Sequence, residues 1–316
     1  MRQIHYCTGL PRTCSTVLMN ILSQNPEIFT TSTCPLPLFV EACQGKTVSC
    51  PDFTAMDQDV LTKSYLNFLR QGIKGWFESM TTKEVVISKS RLWQDYFPHT
   101  FAIDENSKYL ILIRDLRDIV CSFESLLWKN PNIVLQTSET SQLYMESYET
   151  RIDVYFDERQ TLGKSFRRLP HILELSNRYP DKFLIARQED FNTNPYTFLK
   201  NLYKFFELDY FRHNLKDIPK SVLYEHDSVY RDLVSHKVGK SFKPKPARWE
   251  KEMTAEASKK IVEKVILYIS IIGFLIHLLL IYLSDRAYQL RDARQFSFQH
   301  REFLLLNPHP QAQPIF

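Results

Sequence analysis

The chain has 316 residues, of which 44% are hydrophobic and 24% charged, a composition typical of a globular protein with one or two domains. A formal net charge of +4 is too small to indicate nucleic-acid binding, although a local basic pocket for a small anion fits it. The six cysteines form no Cys-x-x-Cys pair, which argues against a zinc site. We expect reduced thiols, although the sequence alone leaves a disulfide between Cys43 and Cys50 open.

The opening stretch predicts a strand, a loop and a helix. Apolar residues from Ile4 lead to a turn with Gly9 and Pro11, and an apolar helix pattern starts near Ser15. Backbone N–H groups and the helix dipole favour an anion at such a helix N-terminus. Side chains that can donate hydrogen bonds to an anion follow the turn: Arg12, Thr13, Ser15 and Thr16. This stretch therefore predicts a phosphate-binding loop.

Strands and helices alternate along the rest of the chain. The predicted elements are a short helical turn at 39–42, helices at 57–80, 138–156, 165–178 and after Asn194, and strands at 84–88, 108–113 and 182–186. This order predicts an α/β fold with three layers, in which helices cover both faces of a central parallel sheet. Ligands bind such sheets beyond the carboxyl ends of the strands, where we expect Arg12, Lys89 and Arg114.

The opening loop does not fit the nucleotide-binding loop of kinases. That pattern has a second glycine five residues after the first, followed by Lys and then Ser or Thr. Here Cys14 stands at the position of the second glycine and Ser15 at the position of the lysine. A magnesium-dependent kinase is therefore disfavoured but stays an alternative.

Residues 9–16, Gly-Leu-Pro-Arg-Thr-Cys-Ser-Thr, resemble the phosphosulfate loop of sulfotransferases that use 3′-phosphoadenosine 5′-phosphosulfate (PAPS). The resemblance implies a P-loop NTPase-like sulfotransferase fold. It assigns donor binding to Pro11, Arg12, Thr13, Cys14, Ser15 and Thr16. Arg12 and Thr13 would face the leaving phosphate and the sulfuryl group, with the hydroxyls after Cys14 on the 5′-phosphate. Cys14 stands where the family has Gly, and a positive φ there would be strained.

Residues 114–123 are similar to the element of this family that binds the 3′-phosphate. In that element an Arg at the end of a strand and a Ser eight residues later bind the phosphate, which implies roles for Arg114 and Ser122. A guanidinium fork suits a phosphate dianion. Taken alone, Arg114 is equally compatible with an ion pair to Asp118.

Residues 86–91 are similar to a strand that ends in Lys-Thr-His in many members of the family. By this resemblance Lys89 stabilises the transferring group together with Arg12. Arg91 stands at the position of the His, and a guanidinium cannot act as a base. Other members use a Glu after the first helix, but residues 31–34 contain no carboxylate. The base stays open, with three candidates near in sequence: Glu41, Asp95 and His99.

Residues 265–283 contain no charged side chain and one His. About 20 residues cross a hydrocarbon core of about 30 Å, so we expect a C-terminal transmembrane helix. The alternative is the last helix of the domain, packed on the core or in an oligomer interface. The expected organisation is a sulfotransferase domain at 1–255, an apolar helix at 256–284 and a flexible tail at 285–316. Without a signal-peptide pattern before the first strand, we expect a cytoplasmic catalytic domain.

The expected activity is transfer of a sulfuryl group from PAPS to a hydroxyl or amine of a small molecule, saccharide or peptide. Neither a metal nor nucleic acid is expected to take part. Two alternatives stay open. One is a small-molecule kinase, and the other is a catalytically silent, membrane-attached nucleotide-binding protein, which the unassigned base and Cys14 would fit.

Overall fold

A computed structural model describes residues 3–129, 146–220 and 239–272 of the chain. Five strands form one sheet in the order β2-β3-β1-β4-β5, and every neighbouring pair is parallel. They are β1 (Gln3–Gly9), β2 (Ile28–Thr30), β3 (Val85–Lys89), β4 (Tyr109–Ile113) and β5 (Phe183–Arg187). The central parallel sheet with flanking helices confirms the predicted α/β class.

Helices connect the strands. In chain order they are α1 (Ser15–Leu22), α2 (Leu36–Ser49), α3 (Pro51–Ala55), α4 (Gln58–Glu78), α5 (Phe97–Ile103), α6 (Leu116–Lys129), α7 (Tyr148–Tyr155), α8 (Thr161–Arg178), α9 (Gln188–Thr193), α10 (Pro195–Phe206), α11 (Trp249–Glu252) and α12 (Ala255–Ile272). A 3₁₀-helix covers Arg91–Asp95 between β3 and α5. Crossovers between parallel strands are right-handed as a rule, and they place helices over the faces of the sheet.

The sheet lies in the hydrophobic core, and the register of its strands determines where the candidate site lies. Tyr109 to Leu112 of β4 are at most 1% exposed, which explains the continuous apolar run in the sequence. In the sheet, Cys7 pairs with Lys89 and Gly9 pairs with Leu112. The carboxyl ends of β1, β3 and β4 therefore lie side by side.

The predicted boundaries of β3, β4 and β5 each lie within one residue of the observed ones. The three-residue strand β2 and helix α5 were not predicted, because such short elements show no clear periodicity. Helix α2 is much longer than the single turn expected near Phe39. Of the helix predicted at 138–156, only residues 146–156 lie within the described residues, and α7 covers most of them. All six cysteines are free thiols, so Cys43 and Cys50 form no disulfide.

At the C-terminus the described residues end within α12. No helix in the ranges that the structure describes is long and apolar enough to cross a membrane. The span predicted at 265–283 lies mostly beyond Ile272, outside the described residues, and so does the predicted tail at 285–316. The start of α12 packs on α7, where Lys260 and Lys264 pair with Asp153 at 2.6 and 2.8 Å.

Candidate active site

The loop between β1 and α1 has an unusual backbone. Gly9 has a φ of 128°, and a Cβ at this position would lie 2.1 Å from the carbonyl oxygen of Leu112, so only glycine fits. Arg12 and Cys14 have φ values of 61° and 59°, in the left-handed region that residues with a Cβ rarely adopt. Strained non-glycine residues of this kind cluster at ligand-binding sites.

Helix α1 starts directly after this loop, at Ser15. The first four N–H groups of a helix have no partner within it, and they form an anion site when they face a loop. Thr13 is 3% exposed, and its hydroxyl donates to the carbonyl of Leu10 at 3.1 Å. The Thr13 hydroxyl therefore stabilises the turn. The side chains of Ser15 and Thr16 are half-buried and lie at the start of α1.

Replacing Cys14 by glycine should stabilise the protein relative to replacing it by alanine. Both variants lose the contact of 3.7 Å between the Gln188 amide and the Cys14 sulfur, but only glycine adopts a φ of 59° without strain. We expect the glycine variant to be more stable by about 1 kcal/mol, measured by denaturant unfolding. Equal stability of the two variants would show that the left-handed backbone costs nothing here.

The two residues predicted for a 3′-phosphate meet at Arg12. Arg12 Nε donates to Ser122 Oγ at 2.9 Å, and Arg114 Nη1 donates to the Arg12 carbonyl at 2.9 Å. Burial, followed by repulsion from Arg114, lowers the pKa of Arg12. Two partly buried guanidinium groups that repel each other favour the binding of an anion nearby.

Arg114 is itself largely buried, with a side chain 9% exposed. Its Nη2 lies 3.7 Å from Asp118 Oδ2, so the ion pair that the sequence left open exists beside the contact to Arg12. Its Nε has no hydrogen-bond partner among the described residues. Because a buried N–H without a partner is costly, this atom is a donor suited to a ligand.

Asp118 also ties the C-terminal segment to α6. Its Oδ1 accepts the backbone N–H groups of Arg248 and Trp249 at 2.8 and 3.1 Å. The Trp249 ring lies 3.6 Å from the guanidinium carbon of Arg117, a cation–π contact. The sequence indicated an ion pair of Asp118 with Arg114 but not these contacts with the C-terminal segment.

Lys89 ends β3 and is 7% exposed. Its Nζ donates to the carbonyl of Ser32 at 2.8 Å, a contact that does not neutralise its charge. Burial, followed by repulsion from Arg91, lowers the pKa of Lys89 to about 8. In the sheet, Lys89 pairs with Cys7, which lies two residues before Gly9. The charge of Lys89 is therefore at the end of β3, beside the loop between β1 and α1.

The structure separates the three candidates for a general base. Asp95 forms an ion pair with Arg168. Burial, followed by the nearby charge of Glu41, raises the pKa of Tyr96, and the His99 ring lies 5.9 Å from the Tyr96 ring. Burial lowers the pKa of His99, so its imidazole is neutral at pH 7. Glu41 and His99 therefore meet at Tyr96, a residue that sequence reasoning missed, whereas Asp95 is bound elsewhere.

Within the described ranges, no group of His, Cys, Asp and Glu could hold a metal ion. The spacing of one helical turn indicated the ion pair of Asp118 with Arg114, but no signal in the sequence points to the hydrogen bonds of Asp118 with residues 248 and 249 or to Tyr96.

Comparison with known proteins adds a family match. A family model described as a sulfotransferase domain matches residues 7–266. The sulfotransferase domain of the Synechococcus PCC 7002 olefin synthase covers 84% of this chain and 96% of its own, at 16% identity and a TM-score of 0.51. A mouse sulfotransferase solved with PAP covers 84% of each chain, at 12% identity and a TM-score of 0.49. No curated protein gives a match. At these identities, the structural similarity shows the fold alone.

Proposed function

The chain belongs to the sulfotransferase domain family, and we propose that it transfers a sulfuryl group from PAPS to an acceptor hydroxyl or amine. The observation that carries this proposal is the convergence of Arg114 and Ser122 on Arg12, beside the helix start at Ser15. Guanidinium groups, a hydroxyl and a helix N-terminus together suit a nucleotide that carries two phosphate groups.

In this proposal two sets of residues hold the donor. Arg114, through its unpartnered Nε, and Ser122 bind the 3′-phosphate. The loop at 11–16 binds the 5′ end through the Arg12 side chain and the backbone N–H groups of Thr13 and Cys14, and Pro11, which has no N–H, shapes the turn before them. The half-buried Ser15 and Thr16 add hydroxyl donors at the start of α1. The donor supplies the sulfuryl group and a phosphate as leaving group.

Arg12 and Lys89 would stabilise the negative charge that develops on the bridging oxygen while the sulfuryl group leaves it. The bond from the acceptor atom to sulfur forms as the bond from sulfur to the 5′-phosphate oxygen breaks. The acceptor's proton passes to a base, for which Glu41 and the neutral His99 are the remaining candidates. Asp95 is no longer proposed, because Arg168 holds its carboxylate in an ion pair.

Two measurements test this function against its alternatives. Calorimetry with adenosine 3′,5′-bisphosphate tests the nucleotide site, and we expect binding by the wild-type chain. Turnover with sulfur-labelled PAPS and a panel of acceptors tests the transfer itself. Absence of nucleotide binding contradicts the proposal. Binding with no turnover for any acceptor favours the silent binding protein, and turnover of ATP with magnesium favours the kinase.

A further inference from the structure

Arg114 and Asp118 form an open ion pair in buried surroundings where a closed pair is expected. The two residues are four positions apart at the start of α6, a spacing that brings opposite charges together. Their side chains are 9% and 4% exposed, so little water screens the attraction. Arg114 Nη2 nevertheless lies 3.7 Å from Asp118 Oδ2. A hydrogen bond from nitrogen to oxygen spans about 2.7–3.2 Å, so these two atoms attract each other without one.

Other ion pairs among the described residues show how a closed pair looks in this chain. Arg151 donates through Nε and Nη2 to the two carboxylate oxygens of Glu124, at 2.9 and 2.6 Å, and both side chains are largely buried. Arg117 Nη2 lies 2.6 Å from Asp115 Oδ2. A carboxylate that closes on a guanidinium in this way takes up its donors and its charge. Arg114 instead keeps an Nε that has no partner among the described residues.

Hydrogen bonds on both sides keep the two side chains of this open pair apart. On one side, Asp118 Oδ1 accepts the backbone N–H groups of Arg248 and Trp249 at 2.8 and 3.1 Å. On the other side, Arg114 Nη1 donates to the carbonyl of Arg12 at 2.9 Å. A carboxylate that already accepts two N–H groups gains less from a nearby cation than a free carboxylate does. The backbone at 248–249 therefore competes with Arg114 for the same carboxylate.

The C-terminal segment, residues 239–252, has further contacts that hold this backbone in place. The Trp249 ring lies 3.6 Å from the guanidinium carbon of Arg117. Three residues before Arg248, the carbonyl of Lys245 accepts the side-chain N–H of Asn192 at 2.8 Å. Neither contact involves Asp118. The segment therefore has its own anchors, and they determine whether its N–H groups reach the carboxylate.

We propose that Arg248 and Trp249 are positioning residues for the 3′-phosphate site and that they act through Asp118. Their N–H groups hold the carboxylate away from a closed ion pair, so that Arg114 keeps its charge and its unpartnered Nε for the phosphate. Without these two hydrogen bonds, the carboxylate would turn to Arg114 and neutralise it. The inference rests on the proposed function, because it needs a nucleotide that carries a 3′-phosphate.

Calorimetry with adenosine 3′,5′-bisphosphate tests this role on the wild type, Trp249→Leu, Asp118→Asn and the double variant. Trp249→Leu removes the ring that anchors the segment on Arg117 and should weaken binding about five- to tenfold. Asp118→Asn keeps a side-chain oxygen for the two N–H groups and loses the charge that could neutralise Arg114. It should therefore bind the bisphosphate at least as tightly as the wild type. In this background, Trp249→Leu should change the affinity less than about twofold.

Three controls separate this role from a general loosening of the fold. Trp128→Leu makes the same substitution at a tryptophan of α6 that is 51% exposed, and it should leave the affinity unchanged. Trp249→Phe keeps an aromatic ring for Arg117 and should retain the affinity of the wild type. Adenosine 5′-monophosphate lacks the 3′-phosphate, so Trp249→Leu should leave its binding almost unchanged. Trp249 is half-buried, so its variants should fold normally.

Several outcomes overturn the inference. One is an affinity that Trp249→Leu leaves unchanged, or lowers equally in both backgrounds, since the segment would then not act through Asp118. Another is weaker binding by Asp118→Asn than by the wild type, since the carboxylate would then support Arg114 instead of competing for it. A third is an equal loss for the bisphosphate and the monophosphate. All three leave the proposed function intact, whereas absence of bisphosphate binding by the wild type rejects the proposed function and this role with it.

Discussion

Replacement of Arg114 by methionine should lower the affinity for adenosine 3′,5′-bisphosphate at least a hundredfold, measured by calorimetry. Methionine keeps much of the volume of the side chain, which is 9% exposed, but removes the unpartnered Nε and the donor to the Arg12 carbonyl. A hydrogen bond to a charged group contributes about 1.5–3 kcal/mol, and about 2.7 kcal/mol corresponds to a hundredfold change in affinity.

Two controls separate a lost phosphate contact from a general effect of charge or folding. Arg159→Met removes a guanidinium that is 80% exposed and should leave the affinity unchanged. Adenosine 5′-monophosphate lacks the 3′-phosphate, so its weaker binding should differ little between the wild-type chain and Arg114→Met. If both nucleotides lose affinity equally, Arg114 acts only by holding the loop at Arg12. Unchanged binding of the bisphosphate would reject the assignment of the 3′-phosphate site.

The nucleotide side of the site could be predicted because its signals are local. A strongly apolar strand ends just before Arg114, and Ser122 follows eight residues later, about two turns along the chain on the helix that starts at Leu116. Parallel strands place their carboxyl ends at one edge, so three strand ends could be expected to meet without knowledge of the packing. The observed hydrogen bonds of Arg12 to Ser122 and Arg114 agree with that expectation.

The surroundings of the candidate bases could not be predicted, because they depend on contacts between residues that are far apart in the sequence. Glu41 and His99 lie on two different helices, α2 and α5, and both come near Tyr96 only because tertiary packing brings α2 to this residue. Proximity in sequence favoured Asp95 as much as Glu41, yet Arg168 from α8 pairs with Asp95. Such contacts depend on how the helices cross, which periodicity does not determine.

The loop between β1 and α1 departs from the rule that residues with a Cβ avoid the left-handed backbone region. The sequence predicts that a positive φ at Cys14 would be strained, and the structure has both Cys14 and Arg12 in the left-handed region. Arg12 is also held beside Arg114, and Lys89 is buried beside Arg91. The strained backbone and the clustered positive charges therefore lie at one edge of the sheet. A bound polyanion would remove the charge repulsion, which is the electrostatic part of this destabilisation.

Replacement of Lys89 by alanine should reduce kcat by about a hundred- to a thousandfold and change the affinity for adenosine 3′,5′-bisphosphate little. This magnitude is typical for removing one group that stabilises developing charge in a buried site. Lys74→Ala, at a side chain that is 43% exposed, is the matched control. An unchanged kcat in Lys89→Ala would reject the catalytic role of this lysine.

The pH dependence gives a second and independent readout for Lys89. Burial lowers the pKa of Lys89 to about 8, so its positive charge is present below that pH and is lost as the pH rises through it. Since kcat/KM reports the free enzyme, we expect it to fall above about pH 8 in the wild-type chain. Lys89→Arg keeps a charge that does not titrate in this range and should remove the alkaline decline even if its kcat is lower. An identical decline in Lys89→Arg would assign the titration to another group.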